Sequence, residues 1–241
     1  MRNAWIILKK EFASYFNSTI DYIFIVVFLL LNCGLFMNFF FVSEQIEMRS
    51  FFGSLPLFLI FFMPAITMRL WAEEKKLGTI ELLMTLPMKN WQIVFGKFLA
   101  SYLFYLIALS GTLTIPIMLL MLNKPDIGAI ICGYIGSALL GAFYLSIGML
   151  ISGLCKDQIV AFILSVLFCF FFFIVGIDVI SMTIDGWISG LGNFLQNYIG
   201  LIKHFEGIER GVLDIRNIIY FISMSILFLV LNTYSLEGRK Y

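Results

Sequence analysis

Gln158-Ile-Val-Ala-Phe-Ile-Leu-Ser-Val-Leu-Phe-Cys-Phe-Phe-Phe-Phe-Ile-Val-Gly-Ile177 runs for 20 residues without a charge, between Asp157 and Asp178. A helix that crosses a bilayer needs about 20 apolar residues. A charge at mid-membrane costs about 2.5–3.5 kcal/mol on insertion scales, so uncharged gaps are the useful ruler. Carried outward from this segment, the ruler finds six spans, at about 22–43, 50–68, 98–123, 129–153, 158–177 and 217–236. The composition agrees: 61% of the 241 residues are apolar, 13% are charged, and 27 are Phe. Soluble domains run at about 45–50% apolar and about 25% charged. The 16 Lys+Arg and 15 Asp+Glu cannot supply a soluble domain with its polar shell. A soluble enzyme, a disordered chain and a secreted disulfide scaffold are thereby excluded. The expected fold is an all-α integral membrane protein with six transmembrane helices, one domain over residues 1–241. A seventh uncharged stretch, Gly186–Ile202, carries Gly190, Gly192, Gly200, Asn193, Gln196 and Asn197. It reads as an interfacial or half-inserted segment.

Lys and Arg in short loops set orientation. With the N-terminus cytoplasmic, 11 of them (Arg2, Lys9, Lys10, Arg69, Lys75, Lys76, Lys89, Lys97, Lys156, Arg239, Lys240) fall inside and 5 (Arg49, Lys124, Lys203, Arg210, Arg216) outside. Both termini are expected in the cytoplasm of a cell whose plasma (inner) membrane holds the protein. The net charge of +1 offers no basic field for nucleic acid. Cys33, Cys132, Cys155 and Cys169 lie far apart, a pattern neither of zinc nor of redox chemistry, and no metal site is expected. The first span is too long for a signal-peptide core and reads as a retained anchor. Ahead of it Trp5, Leu8, Phe12 and Tyr15 recur at helical spacing opposite Arg2, Lys9 and Lys10, which predicts an amphipathic interfacial helix.

The loop between the second and third spans is long and charged: Arg69-LWAEEKKLGTIELLMTLPMKNWQIVFG-Lys97. Arg69, Glu73, Glu74, Lys75 and Lys76 alternate in sign at i,i+3 and i,i+4, which favours a solvated helix. Gly78 permits a sharp turn. Thr79 is placed to cap a second short helix, with Glu81 in its first turn complementing the dipole. Ile80, Leu82, Leu83 and Leu86 make that helix apolar, and Pro87 stops it. Such a helix lies on the headgroups or docks into a groove on a soluble partner.

Glu74-Lys-Lys-Leu-Gly78-Thr79-Ile-Glu81-Leu-Leu-Met-Thr-Leu-Pro87 resembles the E-x-x-x-G-T-x-E-x-L-x-x-x-P element that follows the second span in type-2 ABC exporter permeases. Ile93-Val-Phe-Gly96-Lys97-Phe-Leu-Ala100 is similar to the same family's approach to its third span. In the last long loop, His204-Phe-Glu-Gly-Ile-Glu-Arg210-Gly-Val-Leu-Asp214-Ile-Arg216 is similar to a segment of the gliding-motility and copper-site-maturation branch. The resemblance covers the whole chain. It implies a permease subunit that pairs with a second permease, as a homo- or heterodimer in membrane lipid, and rests on a cytoplasmic ABC ATPase. ATP and magnesium would sit on that ATPase and no cofactor on this chain. Glu73, Glu74, Gly78, Thr79, Glu81, Leu82, Leu83 and Pro87 would then form the ATPase-coupling region. His204, Phe205, Glu206, Arg210, Gly211 and Asp214 would belong to short half-inserted helices over the outer end of the pathway.

Other classes fare worse. Gly96-Lys97-Phe98 lacks the glycine and the Ser/Thr of a P-loop, and Leu109-Ser110-Gly111 only echoes an ATPase signature inside a span. An ion-coupled carrier keeps ionisable groups at membrane depth, whereas here every charge is expected at a boundary or in a loop. A zinc protease cannot be built from the single His204, and no enzymatic activity of the chain's own is expected. The remaining alternatives are an ion-coupled carrier and a membrane scaffold without transport. Within the spans, Pro56 and Pro64 are expected to interrupt the second and Pro116 the third. Gly133, Gly136, Ser137, Gly141 and Gly148 suit either packing within the chain or a subunit interface. Asn32 and Asn38 are expected to bond neighbouring helices.

Overall fold

The computed structural model describes residues 2–43, 48–85, 87–122, 125–187 and 190–237. Expectations that rest on Lys124, Arg239, Lys240 and Leu86 lie outside these residues. In chain order the helices are α1 (Arg2–Asn17), α2 (Thr19–Ser43), α3 (Arg49–Lys76), α4 (Thr79–Thr85), α5 (Asn90–Gly111) and α6 (Thr114–Leu122). They continue as α7 (Ile127–Leu154), α8 (Gln158–Val175), α9 (Asp178–Trp187), α10 (Leu191–Tyr198), α11 (Leu201–Glu209) and α12 (Ile215–Glu237). Among the described residues, six stretches are long and apolar enough to cross a membrane: α2, α3, α5 with α6, α7, α8 and α12.

The centre of the bundle is the pair α3 and α7, with α8 against both, α12 on α7, and α5 between α1, α7 and α12. Glycine explains why α7 takes this place. A methyl group on Gly133 would lie 2.3 Å from Phe52, on Gly141 2.1 Å from Tyr105, on Gly148 2.1 Å from Thr67 and on Gly136 2.5 Å from Ile208. These four glycines let α3, α5 and α11 approach the α7 backbone, so they serve packing within the chain. The periphery is opposite in character. Val26 and Leu30 of α2, Ile159 and Ile163 of α8, and Ile219 and Ile226 of α12 are all exposed. Apolar rows of this kind suit a lipid surround.

The prolines behave differently from expectation. The helix α3 runs unbroken through Pro56 and Pro64. Instead the third span breaks at Thr112 and Leu113, between α5 and α6. There the Thr112 hydroxyl donates to the Leu109 carbonyl at 2.7 Å and meets the Tyr134 hydroxyl at 3.0 Å. Pro116 falls in the first turn of α6, where its missing N–H has no helical partner to lose. The helix α5 also starts at Asn90, eight residues ahead of the expected span, and carries Lys97 inside it.

Two bundle ends follow from α3. Its 28 residues span about 42 Å at a rise of about 1.5 Å per residue. At its C-terminal end lie α1 and α4; near its N-terminal end lies α11, which rests on α7, α3 and α12. Among its described residues, the stretch 186–202 holds the end of α9, then α10, a break at Ile199 and Gly200, and the start of α11. The stripe expected on α1 divides. Leu8 and Tyr15 are buried together with Ala4 and Ile7, Phe12 is partly buried, and Trp5 faces outward at 66% exposure.

Candidate functional site

The last two turns of α3 are tied to four other helices. On the α7 side, the Ser152 hydroxyl accepts from the backbone N–H groups of Trp71 and Ala72 at 3.2 and 3.3 Å and donates to the Met68 carbonyl at 3.0 Å. Lys75 donates to the carbonyls of Gly153 and, at 3.0 Å, Cys155. Those carbonyls end α7, where a cation satisfies unpaired acceptors and complements the helix dipole. On the α2 side, Arg69 pairs with Asp21, donates to Ser18 at 3.1 Å, and lies 4.8 Å over the Tyr15 ring.

Lys97 of α5 completes the cluster. Its side chain is 1% exposed, and its ammonium group contacts Glu74 of α3 at 2.7 Å, the Leu70 carbonyl at 2.9 Å and Glu11 of α1 at 3.2 Å. These three acceptors use all three N–H donors of the ammonium group. Desolvating such a group costs several kcal/mol, which only close carboxylates and full hydrogen bonding offset. The charge also lies 4.9 Å from the Trp71 ring, a cation–π distance. Tyr15 of α1 donates to Ser101 at 3.1 Å, Ser101 donates to the Lys97 carbonyl at 2.8 Å, and Tyr15 stacks on Phe104. Burial pushes the Tyr15 phenol well above its usual range, so it stays a neutral donor. These contacts lock α1, α3 and α5 together. The ion pairs therefore join different helices, rather than running along one solvated helix as the charge spacing suggested.

From this cluster the chain passes into α4. Leu77 N–H bonds the Glu73 carbonyl at 2.9 Å, and Gly78 takes φ +71°, the left-handed conformation that reverses a helix end at little cost to glycine alone. Thr79 is the first residue of α4 rather than its cap. Its hydroxyl donates back to the Glu74 carbonyl at 3.3 Å, because the turn brings it under the end of α3. Ile80 and Leu83 pack against the core, and Glu73, Glu81 and Pro87 are exposed. Leu82 lies within α4, but its side chain is outside the described residues. Beneath α1, α3 and α4 opens a groove of about 930 Å³, lined among others by Ser14, Ser18, Arg69, Glu73, Glu74 and Leu83.

The other predicted cluster lies at the opposite bundle end. His204 contacts Asn217 at 2.9 Å and the Asn197 carbonyl at 3.0 Å and stacks on Tyr220. Phe205 is buried, Glu206 pairs with Arg210, and Asp214 accepts from the Arg216 N–H at 3.0 Å at the start of α12. Gly211 takes φ +85° with Ala129 close by. Glu209 pairs with Arg49 at 3.3 Å, which ties α11 to the start of α3, and burial raises its carboxyl above the usual range. The predicted sites thus form two separate groups, one at each end of α3.

Sequence reasoning missed Lys97, Glu11, Asp21, Arg69 and Ser152 as members of one cluster. A signal existed: Ile93, Val94, Ala100, Ser101 and Phe104 are buried, and helical periodicity carried back from them places Lys97 on the same inward face.

Against known proteins, the model of a family described as ABC-2 family transporter protein matches residues 44–234. A protein of Escherichia coli K12 named "Probable multidrug ABC transporter permease YbhR" is 28% identical over 149 residues, which cover 58% of this chain and 37% of that relative. Its namesake in Escherichia coli O157:H7 matches to the same extent. The match thus spans well under half the length of these relatives.

Proposed function

The chain belongs to the ABC-2 family of transporter proteins, and from that premise we propose that it is the permease subunit of an ATP-driven exporter. It works beside a second permease subunit and on a separate cytoplasmic ATPase that holds ATP and magnesium. The N-terminus, α4 and the C-terminus face the cytoplasm of a cell whose plasma membrane holds the protein. The observation that carries this reading is the junction at Gly78, where a short helix hangs from the most buried span of the bundle. Docked in a groove of the ATPase, α4 would be displaced when ATP closes the ATPase pair. With only Leu77 and Gly78 between α3 and α4, the displacement reaches α3 directly. The end of α3 is held to α1, α2, α5 and α7 through Lys97, Arg69, Ser152 and Lys75, so these helices move as one body. At the far end, Arg49 and Glu209 pass the motion to α11.

The description of the Escherichia coli relatives as multidrug permeases supports amphipathic cargo. Segment 204–216 favours the gliding-motility and copper-site-maturation branch within the family.

The test is to purify the tagged chain from its native membranes and assay magnesium-dependent ATP hydrolysis in the eluate. The expected result is co-purified ATPase activity that falls at least severalfold on Glu81→Lys, with the yield of the chain itself unchanged. Complex formation unaltered by that substitution counts against α4 as the docking helix. Transport by the chain alone, driven by a pH or sodium gradient in liposomes, would overturn the reading in favour of a carrier.

A further inference from the structure

Asn232 lies on the buried face of α12, between Phe228 one turn before it and Leu236 one turn after, and is 0% exposed. Asn32 of α2 donates to the Phe28 carbonyl of its own helix rather than, as expected, to a neighbouring one. Asn232 does neither: among the described residues no partner bonds its Oδ1 or its Nδ2. The indole N–H of Trp71 in α3, also 0% exposed, has no partner among them either. Buried polar groups left unpaired lower stability and are rare. A leucine at position 232 would avoid that cost. The unpaired groups are nonetheless complementary, since an indole only donates and an amide oxygen only accepts. They are also neighbours. A methyl group on Gly153 of α7 would lie 3.6 Å from Oδ1 and 3.7 Å from Nδ2 of Asn232, and 3.8 Å from Cδ1 of Trp71. That ring carbon is bonded to Nε1. The helices α3, α7 and α12 therefore meet at a glycine that puts no side chain between amide and indole. Trp71 also belongs to the cluster at the end of α3, where Ser152 accepts from its backbone N–H and Lys97 lies 4.9 Å from its ring. The helix α12 is bonded to other elements near its opposite end, through Asn217 to His204 and through Tyr220 to the Ile199 carbonyl.

We propose that Asn232 and Trp71 are the two halves of a latch, open in this conformation, that closes when ATP displaces α3: Trp71 Nε1–H then donates to Asn232 Oδ1. Both are positioning residues, and closure makes the inner end of α12 move with α3. The unpaired groups raise the free energy of the open state alone, so the latch biases the chain toward the state that ATP selects. Gly153 keeps the gap free for the approach. The inference rests on the permease reading and adds the last span to the set of coupled helices.

The test uses the full chain co-purified with its ATPase, either free of nucleotide or trapped with ATP, magnesium and vanadate. The ultraviolet resonance Raman band of the indole N–H, isolated by subtracting the spectrum of Trp71→Phe, reads hydrogen bonding at Trp71. The band is expected to move to its hydrogen-bonded position on trapping. Asn232→Leu removes the acceptor, and Gly153→Ala puts a methyl group at ordinary contact distance between the halves; both are expected to abolish the move and to lower ATP turnover severalfold. A merely structural amide behaves differently in the nucleotide-free protein. Asn232→Leu is expected to raise Tm by roughly 2–4 °C, because it removes the unpaired amide, and a lowered Tm overturns the proposal. A band already at the bonded position without nucleotide, or a move that persists in Asn232→Leu, overturns it as well. A complex that hydrolyses ATP while the band stays fixed on trapping overturns the latch alone; a purified chain without ATP hydrolysis overturns the permease reading and the latch with it.

Discussion

At the scale of single residues, the charge that matters most is Lys97. An isolated ammonium group inside a helical bundle is unfavourable, and it is tolerated here because Glu74, Glu11 and the Leu70 carbonyl surround it. Removing the cation leaves two carboxylates facing each other without it. Lys97→Met is therefore expected to destabilise the protein by about 3–5 kcal/mol, read as a lowered Tm of the purified protein in detergent. The double variant Lys97→Met, Glu74→Gln should recover part of that loss, since one orphaned carboxylate becomes neutral. A Tm unchanged by Lys97→Met would mean that the ion pairs do not hold α1, α3 and α5 together. Glu81 makes the contrast, because it is exposed. Glu81→Lys should leave Tm within about 0.5 kcal/mol equivalent and act only through the ATPase. The role of Lys97 is hard to read from sequence for a physical reason. Distance from the nearest charge-free window locates a span, but a paired charge lies inside the helix that the window truncates. The acids that neutralise Lys97 are 23 and 86 residues away in sequence, beyond any local pattern.

At the scale of elements, glycines decide which helices touch. On α7 they act by what they lack. Gly141 lies against Tyr105, whose hydroxyl donates to the Ser137 carbonyl at 2.8 Å, so a side chain at 141 must displace both the ring and that bond. Gly141→Leu is expected to cost at least about 1–3 kcal/mol through overpacking. Gly34→Leu on α2, where nothing lies within 4 Å, should be nearly neutral; melting of the two variants in one detergent makes the comparison. Gly78 acts differently, through its backbone. Its surroundings are open and its φ is +71°, so the penalty at this position is conformational, about 1–2 kcal/mol for a residue with a Cβ. Gly78→Val should therefore weaken the fixed angle between α3 and α4, lowering ATPase co-purification, while Gly78→Asn keeps most of it because Asn tolerates the left-handed region. Equal co-purification by both variants would show that this angle does not matter for docking. Here the motif was legible: Gly78 stood out between a charged helix end and an apolar run. The break at Thr112 was not, because it depends on hydrogen bonds to Leu109 and Tyr134 and leaves hydropathy unchanged, whereas Pro116 drew attention from three residues inside the next helix.

At the scale of the whole molecule, the spans were readable because bilayer thickness imposes a length and a composition on each helix separately. Their mutual arrangement was not, because it rests on glycine contacts between distant positions. Chain parity turns the arrangement into a measurement. Between Lys89 and Lys203 lie three expected crossings, made by α5 with α6, by α7 and by α8. An odd number puts the two positions on opposite sides. The alternative, a crossing by residues 186–202, would make the number even and put them on the same side. The geometry disfavours it: α10 has 8 residues and reaches only about 12 Å, against a hydrocarbon core of about 30 Å. Lys89 and Lys203 are both exposed, so Lys89→Cys and Lys203→Cys report their own side of the membrane. In a chain with Cys33, Cys132, Cys155 and Cys169 replaced, a membrane-impermeant maleimide applied to intact cells is expected to label position 203 and spare 89, and both should react after lysis. Reversal of that pattern would invert the orientation and move α4 away from any cytoplasmic ATPase; labelling of both positions in intact cells would refute the six-span path itself.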